Sequence, residues 1–236
     1  MRKYVKQSVN KTFIAIKLLS LNAAIVLIAF FCSMALAVFL IKEVFLDKSF
    51  APDDMVFALF KGYVSNATTY FFTFFTFFGS HNFLVPANLL LMGYAFFILK
   101  NKWVGIKVTS VAFSSLFVMF ALKIFFNRQR PDIPLLGKVP GLSFPSGHAF
   151  MSFTFFGLLI YLINKQVKNH WIKYPLILIC LAMIVLIGLS RVYLRVHYVS
   201  DVMAGVALGL MWLVISLTIL HFIEKRINRI TPDPVV

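Results

Sequence analysis

Acidic residues are scarce in this chain: eight Asp and Glu against 23 Lys and Arg in 236 residues, with charge of either sign making up only 13%. A soluble domain carries about twice that charged fraction, and a soluble helical core would need polar helix faces that the apolar runs here lack. Cysteine is equally thin. Cys32 and Cys180 each fall inside an apolar run with no Cys or His at metal spacing, which excludes a disulfide or zinc framework and leaves them as small packing residues. No internal repeat, linker or soluble segment interrupts the chain. Residues 1–236 are expected to form one membrane-embedded domain whose motif-bearing core covers about residues 104–223.

What is abundant is hydrophobic length. Apolar residues reach 61%, mean hydropathy is +0.89, and there are 28 Phe. Runs near twenty residues recur, as membrane-crossing helices require. An all-α polytopic bundle of about six spans is expected, at roughly Leu21–Ile41, Phe83–Leu99, Val104–Phe126, Ala149–Ile163, Tyr174–Leu189 and Val202–Ile223. The first reads as a signal anchor rather than a removed signal peptide. Between Asp53 and Ser80 the run Phe71–Gly79 is too short to cross alone, and Asp53, Asp54, Lys61 and Asn66 break what precedes it. Two short helices at the membrane surface are expected there, with a seventh span as the competing reading.

A net charge of +15 invites comparison with nucleic-acid binders. The cations, however, flank apolar runs, and the aromatics lie inside those runs, so no nucleic acid is expected. Arg2, Lys3, Lys6, Lys11 and Lys17, then Lys100, Lys102 and Lys107, then Lys165, Lys168 and Lys173, and finally Lys225, Arg226 and Arg229 all fall on one side of a six-span layout. That side, with both termini, is expected to be cytoplasmic.

Three polar islands fall on the opposite, extracytoplasmic side: Lys123 with Arg130-Pro131, Pro145-Ser146-Gly147-His148, and Ser190-Arg191 with His197 and Asp201. Each has a purely structural explanation. Lys123 could be a snorkelling interfacial lysine, Ser146 a helix N-cap beside a bystander histidine, and Asp201 an acid complementing a helix dipole. Arg130 follows Lys123 by about two helical turns, so both can converge on one anion. Arg128 is read as an ordinary interfacial charge rather than an accessory contact, and Arg195 and Tyr198 either reach headgroups or anchor the interface. Ser146 and Gly147 open a helix whose free N–H groups favour an anion, with His148 in the first turn. If 197–201 is helical, His197 and Asp201 share a face. The carboxylate can then fix the imidazole tautomer and leave the other nitrogen free to attack. Ser200 as N-cap competes with that role. Two histidines and a carboxylate also match metal ligation, but Lys123, Arg130 and Arg191 would surround a dication with three positive charges, whereas they complement a phosphate dianion.

In this order and spacing, the islands resemble the signature of the type 2 phosphatidic acid phosphatase family, K-x6-RP, PSGH and SR-x5-H-x3-D, at every defining position. The resemblance implies that His197 is a nucleophile forming a phosphohistidine, that Asp201 orients it, and that His148 is the general acid and then base. It further implies that Lys123, Arg130, Ser146, Gly147, Ser190 and Arg191 hold the phosphoryl oxygens, and that neither metal nor cofactor is needed.

The expected activity is an integral-membrane lipid phosphatase at the outer face of a bacterial inner membrane. It would act on phosphatidate, phosphatidylglycerophosphate or undecaprenyl pyrophosphate, with the bilayer and its lipid substrate as partners. A lipid A phosphatase or lipid phosphotransferase fits the same residues. A lipid or anion transporter with a dead site is the rival from another class. The sequence is silent on oligomeric state.

Overall fold

The computed structural model describes residues 23–47, 51–137 and 139–230. Arg2, Lys3, Lys6, Lys11, Lys17 and both chain termini lie outside them, as does Leu21, the expected start of the first span. The described residues form α1 (Ala23–Leu46), α2 (Ala51–Lys61), α3 (Asn66–Phe77), α4 (His81–Gly93, carried on as a π-turn to Ile98), α5 (Lys102–Phe126), α6 (Gly147–Gln166), α7 (His170–Tyr193) and α8 (Val199–Ile230). Six stretches are long and apolar enough to cross a membrane: α1, Asn66–Ile98, α5, α6, α7 and α8. The expected number of spans is met. Helices are what such sequences must form, because in hydrocarbon each backbone N–H and C=O needs a partner within its own segment.

Polar caps set the boundaries. Asn101, Ser146 and Asn169 accept from the first turns of α5, α6 and α7, and Ser65 forms a reciprocal capping box with Thr68 at α3. Two short helices, α2 and α3, do form in the expected segment, but α3 belongs to the apolar stretch Asn66–Ile98, which starts well before the expected span at Phe83. The second, α3, packs along α7 and joins α4 after the turn at Phe78–Ser80. The Tyr193 hydroxyl, within hydrogen-bond reach of Thr68 at 2.7 Å and Thr69 at 3.0 Å, fastens that contact.

α6 is the most enclosed helix and packs on α5, α7 and α8. Its Phe155 and Phe156 join Leu84, Cys180, Ile184 and Ile187 in one core cluster. Its Leu158 and Leu162 join Val108, Val111 and Leu213 in another. Phe117 and Phe125 on α5 and Leu178 on α7 point outward and remain exposed, as lipid-facing side chains do. α8 approaches α6 closely because Gly205 and Gly209 leave room for backbone. A Cβ on Gly205 would lie 2.7 Å from the Ser146 carbonyl oxygen, and one on Gly209 3.1 Å from that of Phe150. The alternating directions of α5 to α8 place all three polar islands at one end of the bundle.

Candidate active site

Lys123 sits in the last turn of α5, and Asn127 ends that helix in the left-handed conformation with φ 47°. The Lys123 ammonium donates to the Leu142 carbonyl at 2.5 Å. Its Cε lies 3.5 Å from where a Gly147 Cβ would stand, so it passes directly over the start of α6. Arg130 is not two helical turns further along, because the helix has already ended. It reaches back from an irregular segment instead. Its Nε donates to Gly141 O at 3.0 Å, and its Nη1 donates to Val196 O at 2.9 Å and lies 3.2 Å from His197 Nε2.

The second island behaves as its sequence suggests. Ser146 is the N-cap of α6, its Oγ accepting from Ala149 N at 3.5 Å, and His148 falls in the first turn. The Ser146 N–H donates to the Asp201 carbonyl at 2.9 Å, which ties the starts of α6 and α8 together. Gly147 and His148 line a cavity of about 260 Å³ that is otherwise largely apolar, walled by Leu84, Val85 and Leu89 of α4 and by Ala112, Phe113 and Leu116 of α5.

Arg191, in the last turn of α7, is buried. Its Nη1 donates to Thr76 Oγ1 of α3 at 2.7 Å, while its buried Nε has no hydrogen-bond partner among the described residues. A guanidinium N–H enclosed without an acceptor is costly, and an anion beside it would satisfy it. The Ser190 hydroxyl donates within its own helix, to Ile187 O at 2.6 Å.

His197 and Asp201 do meet, but not along a helix face. α8 begins only at Val199, and Arg195 turns the preceding chain with φ 53°. His197 Nδ1 stands 3.5 Å from Asp201 Oδ2 and 3.3 Å from Ser143 Oγ, and Ser143 donates to Asp201 Oδ2. A guanidinium can only donate, so Nε2 accepts from Arg130 and the ring proton belongs on Nδ1, facing Ser143 and Asp201. The ring is 1% exposed, and burial pushes its pKa down to about 3 although Asp201 opposes the shift. The imidazole is therefore neutral near pH 7, with its lone pair on the side of the cations.

Sequence reasoning missed several members of this site. Arg128 is no ordinary interfacial charge. Its Nη1 donates to Asp201 Oδ1 at 2.7 Å and Ser200 Oγ at 2.8 Å, its Nη2 donates to Asp53 Oδ2 at 3.0 Å, and its guanidinium lies 4.1 Å over the Tyr198 ring. Ser200 is not the cap of α8, since it stands inside the first turn. Its N–H and hydroxyl both donate to Asp53, at 2.9 and 2.7 Å. One signal was available for Asp53: an acid in a chain with so few of them, on the same side as the islands.

The sequence pattern defining the PAP2 superfamily matches residues 103–225. Phosphatidylglycerophosphatase B of Bacillus subtilis is 32% identical over 136 residues, covering 56% of this chain and 66% of that protein. Lipid A 1-phosphatase of Rhizobium etli is 30% identical over 143 residues, 56% of each chain. The chain thus spans less than two thirds of the length of these curated relatives. The crystal structure of a transmembrane PAP2 type phosphatidylglycerolphosphate phosphatase from Bacillus subtilis superposes with a TM-score of 0.70 at 25% identity, over 85% of this chain and 96% of that one. With more than half of its length matched and all three islands inside the match or at its helices, the chain belongs to the PAP2 superfamily.

Proposed function

We propose that this protein is an integral-membrane lipid phosphatase acting through a phosphohistidine at the extracytoplasmic face of a bacterial inner membrane. One observation carries the reading: Gly147, with the Lys123 side chain passing over it, and His148 line a largely apolar cavity between α4 and α5, while Arg130 meets Nε2 of the buried His197. Lys123, Arg130, Arg191 and the start of α6 suit the phosphoryl oxygens. The cavity of about 260 Å³ between α4 and α5 suits the first part of an acyl or prenyl chain. On the other side, Arg130 borders an open polar cavity of about 360 Å³ through which water and released phosphate can pass.

The chemistry follows from the donor roles. Phosphate oxygens draw the Arg130 guanidinium away from His197 Nε2, whose lone pair then attacks phosphorus. The bond from phosphorus to the leaving oxygen breaks, and His148 supplies that oxygen's proton. Positive charge developing on the imidazole is balanced through Nδ1–H by Ser143 and Asp201. Water, giving its proton to His148, then attacks phosphorus. The P–N bond breaks and inorganic phosphate leaves. Lys123, Arg191 and the repositioned Arg130 stabilise charge on the equatorial oxygens throughout.

Likeness to phosphatidylglycerophosphatase B puts phosphatidylglycerophosphate first among substrates, ahead of phosphatidate and undecaprenyl pyrophosphate. Likeness to lipid A 1-phosphatase keeps lipid A as a second reading. Phosphate release in detergent across these four lipids decides between them. Acid-labile, base-stable labelling of the protein from a phosphorus-labelled substrate tests the intermediate. His197→Ala abolishes both release and labelling; retained turnover would refute the assignment.

A further inference from the structure

Asp201 has two carboxylate oxygens with separate tasks. Oδ2 accepts from Ser143 and from the Tyr198 N–H at 3.0 Å and faces His197. Oδ1 is held by Arg128 alone among the described residues, at 2.7 Å. Asp201 is fully buried, so the direction of its carboxylate is set by those partners and not by water. Arg128 in turn is fixed from three sides by Asp201, Ser200 and Asp53, with Tyr198 beneath its plane. Asp53 comes from the first turn of α2, 75 residues before Arg128, and is 5% exposed. All of its hydrogen bonds go to Arg128 and to the start of α8. A guanidinium between two buried carboxylates is a rigid spacer, since its planar fork can engage both at once while an ammonium cannot. None of these contacts reaches the phosphate-facing side of His197.

We propose that Arg128 and Asp53 are positioning residues for phosphoryl transfer. Seating α2 places Asp53, Asp53 fixes Arg128, and Arg128 aims Asp201 so that His197 keeps its proton on Nδ1 and its lone pair toward the phosphorus. The proposal rests on His197 as nucleophile. It makes the surface helix α2, which precedes every motif, a working part of the site.

The test uses the full-length protein in detergent, with active molecules counted by the phosphoenzyme burst and stability followed by thermal unfolding. Asp53→Asn, Arg128→Lys and Arg128→Gln should each lower kcat per active molecule about tenfold or more, with KM for the lipid within about twofold. Asp53→Glu should recover part of the loss. The double variant Asp53→Asn with Arg128→Gln should be no slower than Arg128→Gln alone, because residues acting in series are not additive. Variants that lower the unfolding temperature while kcat per active molecule stays at the wild-type value would make the network a structural clip and overturn the proposal. So would a double variant whose losses multiply. Should Asp53→Asn fail to insert, Asp53→Glu and Arg128→Lys decide on the same two criteria. His197→Asn serves as the reference: if it turns over, the nucleophile reading fails. If it is inert while Arg128→Lys matches wild type, only the positioning role fails.

Discussion

Ser146 and Asp201 are joined through main chain, the N–H of one donating to the carbonyl of the other at 2.9 Å. The starts of α6 and α8 therefore form one rigid unit, and the second and third polar islands cannot shift independently. Gly205, one turn after Asp201 in α8, makes this possible by leaving room for the Ser146 carbonyl, only 2.7 Å from where a Cβ would stand.

Gly205→Val should accordingly damage the site through the backbone of Ser146. The clash is with backbone, which cannot rotate away, so α8 must move off α6. A loss of about 1–3 kcal/mol is expected from overpacking. Turnover per folded molecule should fall by about tenfold or more as His197 loses alignment. Thermal unfolding and phosphate release on the same preparation check both. Gly62→Ala, where a Cβ meets nothing, is the matched control.

How much of this was legible beforehand divides along chain separation. The apolar runs dictated helices, and the Ser146 cap and first-turn His148 could be read from adjacent residues alone. Helical spacing misled at two points. Arg130 lies beyond the end of α5, because Asn127 takes a left-handed conformation, and His197 precedes α8, because Arg195 does the same. In both cases irregular backbone brings together what a helix was expected to. The partners of Asp201, Arg191 and Ser200 lie at Arg128, Thr76 and Asp53, separated by 73, 115 and 147 residues. No local periodicity carries that information, since it arises only when helices pack.

The cavity between α4 and α5 should distinguish lipid substrates from soluble ones. Ala112→Phe places a ring inside a space of about 260 Å³ beside Gly147 and His148. For a long-chain phosphatidyl substrate, kcat/KM should drop about tenfold, as expected for roughly 1–2 kcal/mol of lost or strained contact. For a water-soluble aryl phosphate, which needs no chain pocket, the change should stay within about twofold. Equal losses on both substrates would remove the cavity from the binding site.

Acid should weaken the fold through His197. Its pKa is about 3 when folded against 6.5 for a free imidazole. Between those values the unfolded chain binds the proton and the native one does not. Stability is then complete above about pH 6.5 and declines as pH falls toward 3, by at most about 1.4 kcal/mol per pH unit from this residue. His197→Asn removes the titrating ring. Its unfolding temperature should therefore drop less than that of wild type between about pH 7 and about pH 4.5, measured by a differential scan in detergent. Parallel curves would mean that the ring is not held neutral.

At the far end of the bundle, the buried Lys107 pairs with the partly buried Glu224, Nζ to Oε2 at 2.6 Å with side chains 7% and 23% exposed. Attraction between such charges roughly balances their desolvation, whereas removing one partner strands the other. Glu224→Leu should therefore cost about 3–5 kcal/mol. The double variant Lys107→Met with Glu224→Leu should recover most of that loss, because no unpaired charge remains. Neither residue lies near the polar islands, so turnover per folded molecule should remain at the wild-type value in the double variant. Unfolding of wild type, of the single variants Lys107→Met and Glu224→Leu, and of the double variant gives the coupling energy. A double variant as unstable as Glu224→Leu alone would show that the pair holds α5 to α8 by more than mutual neutralisation.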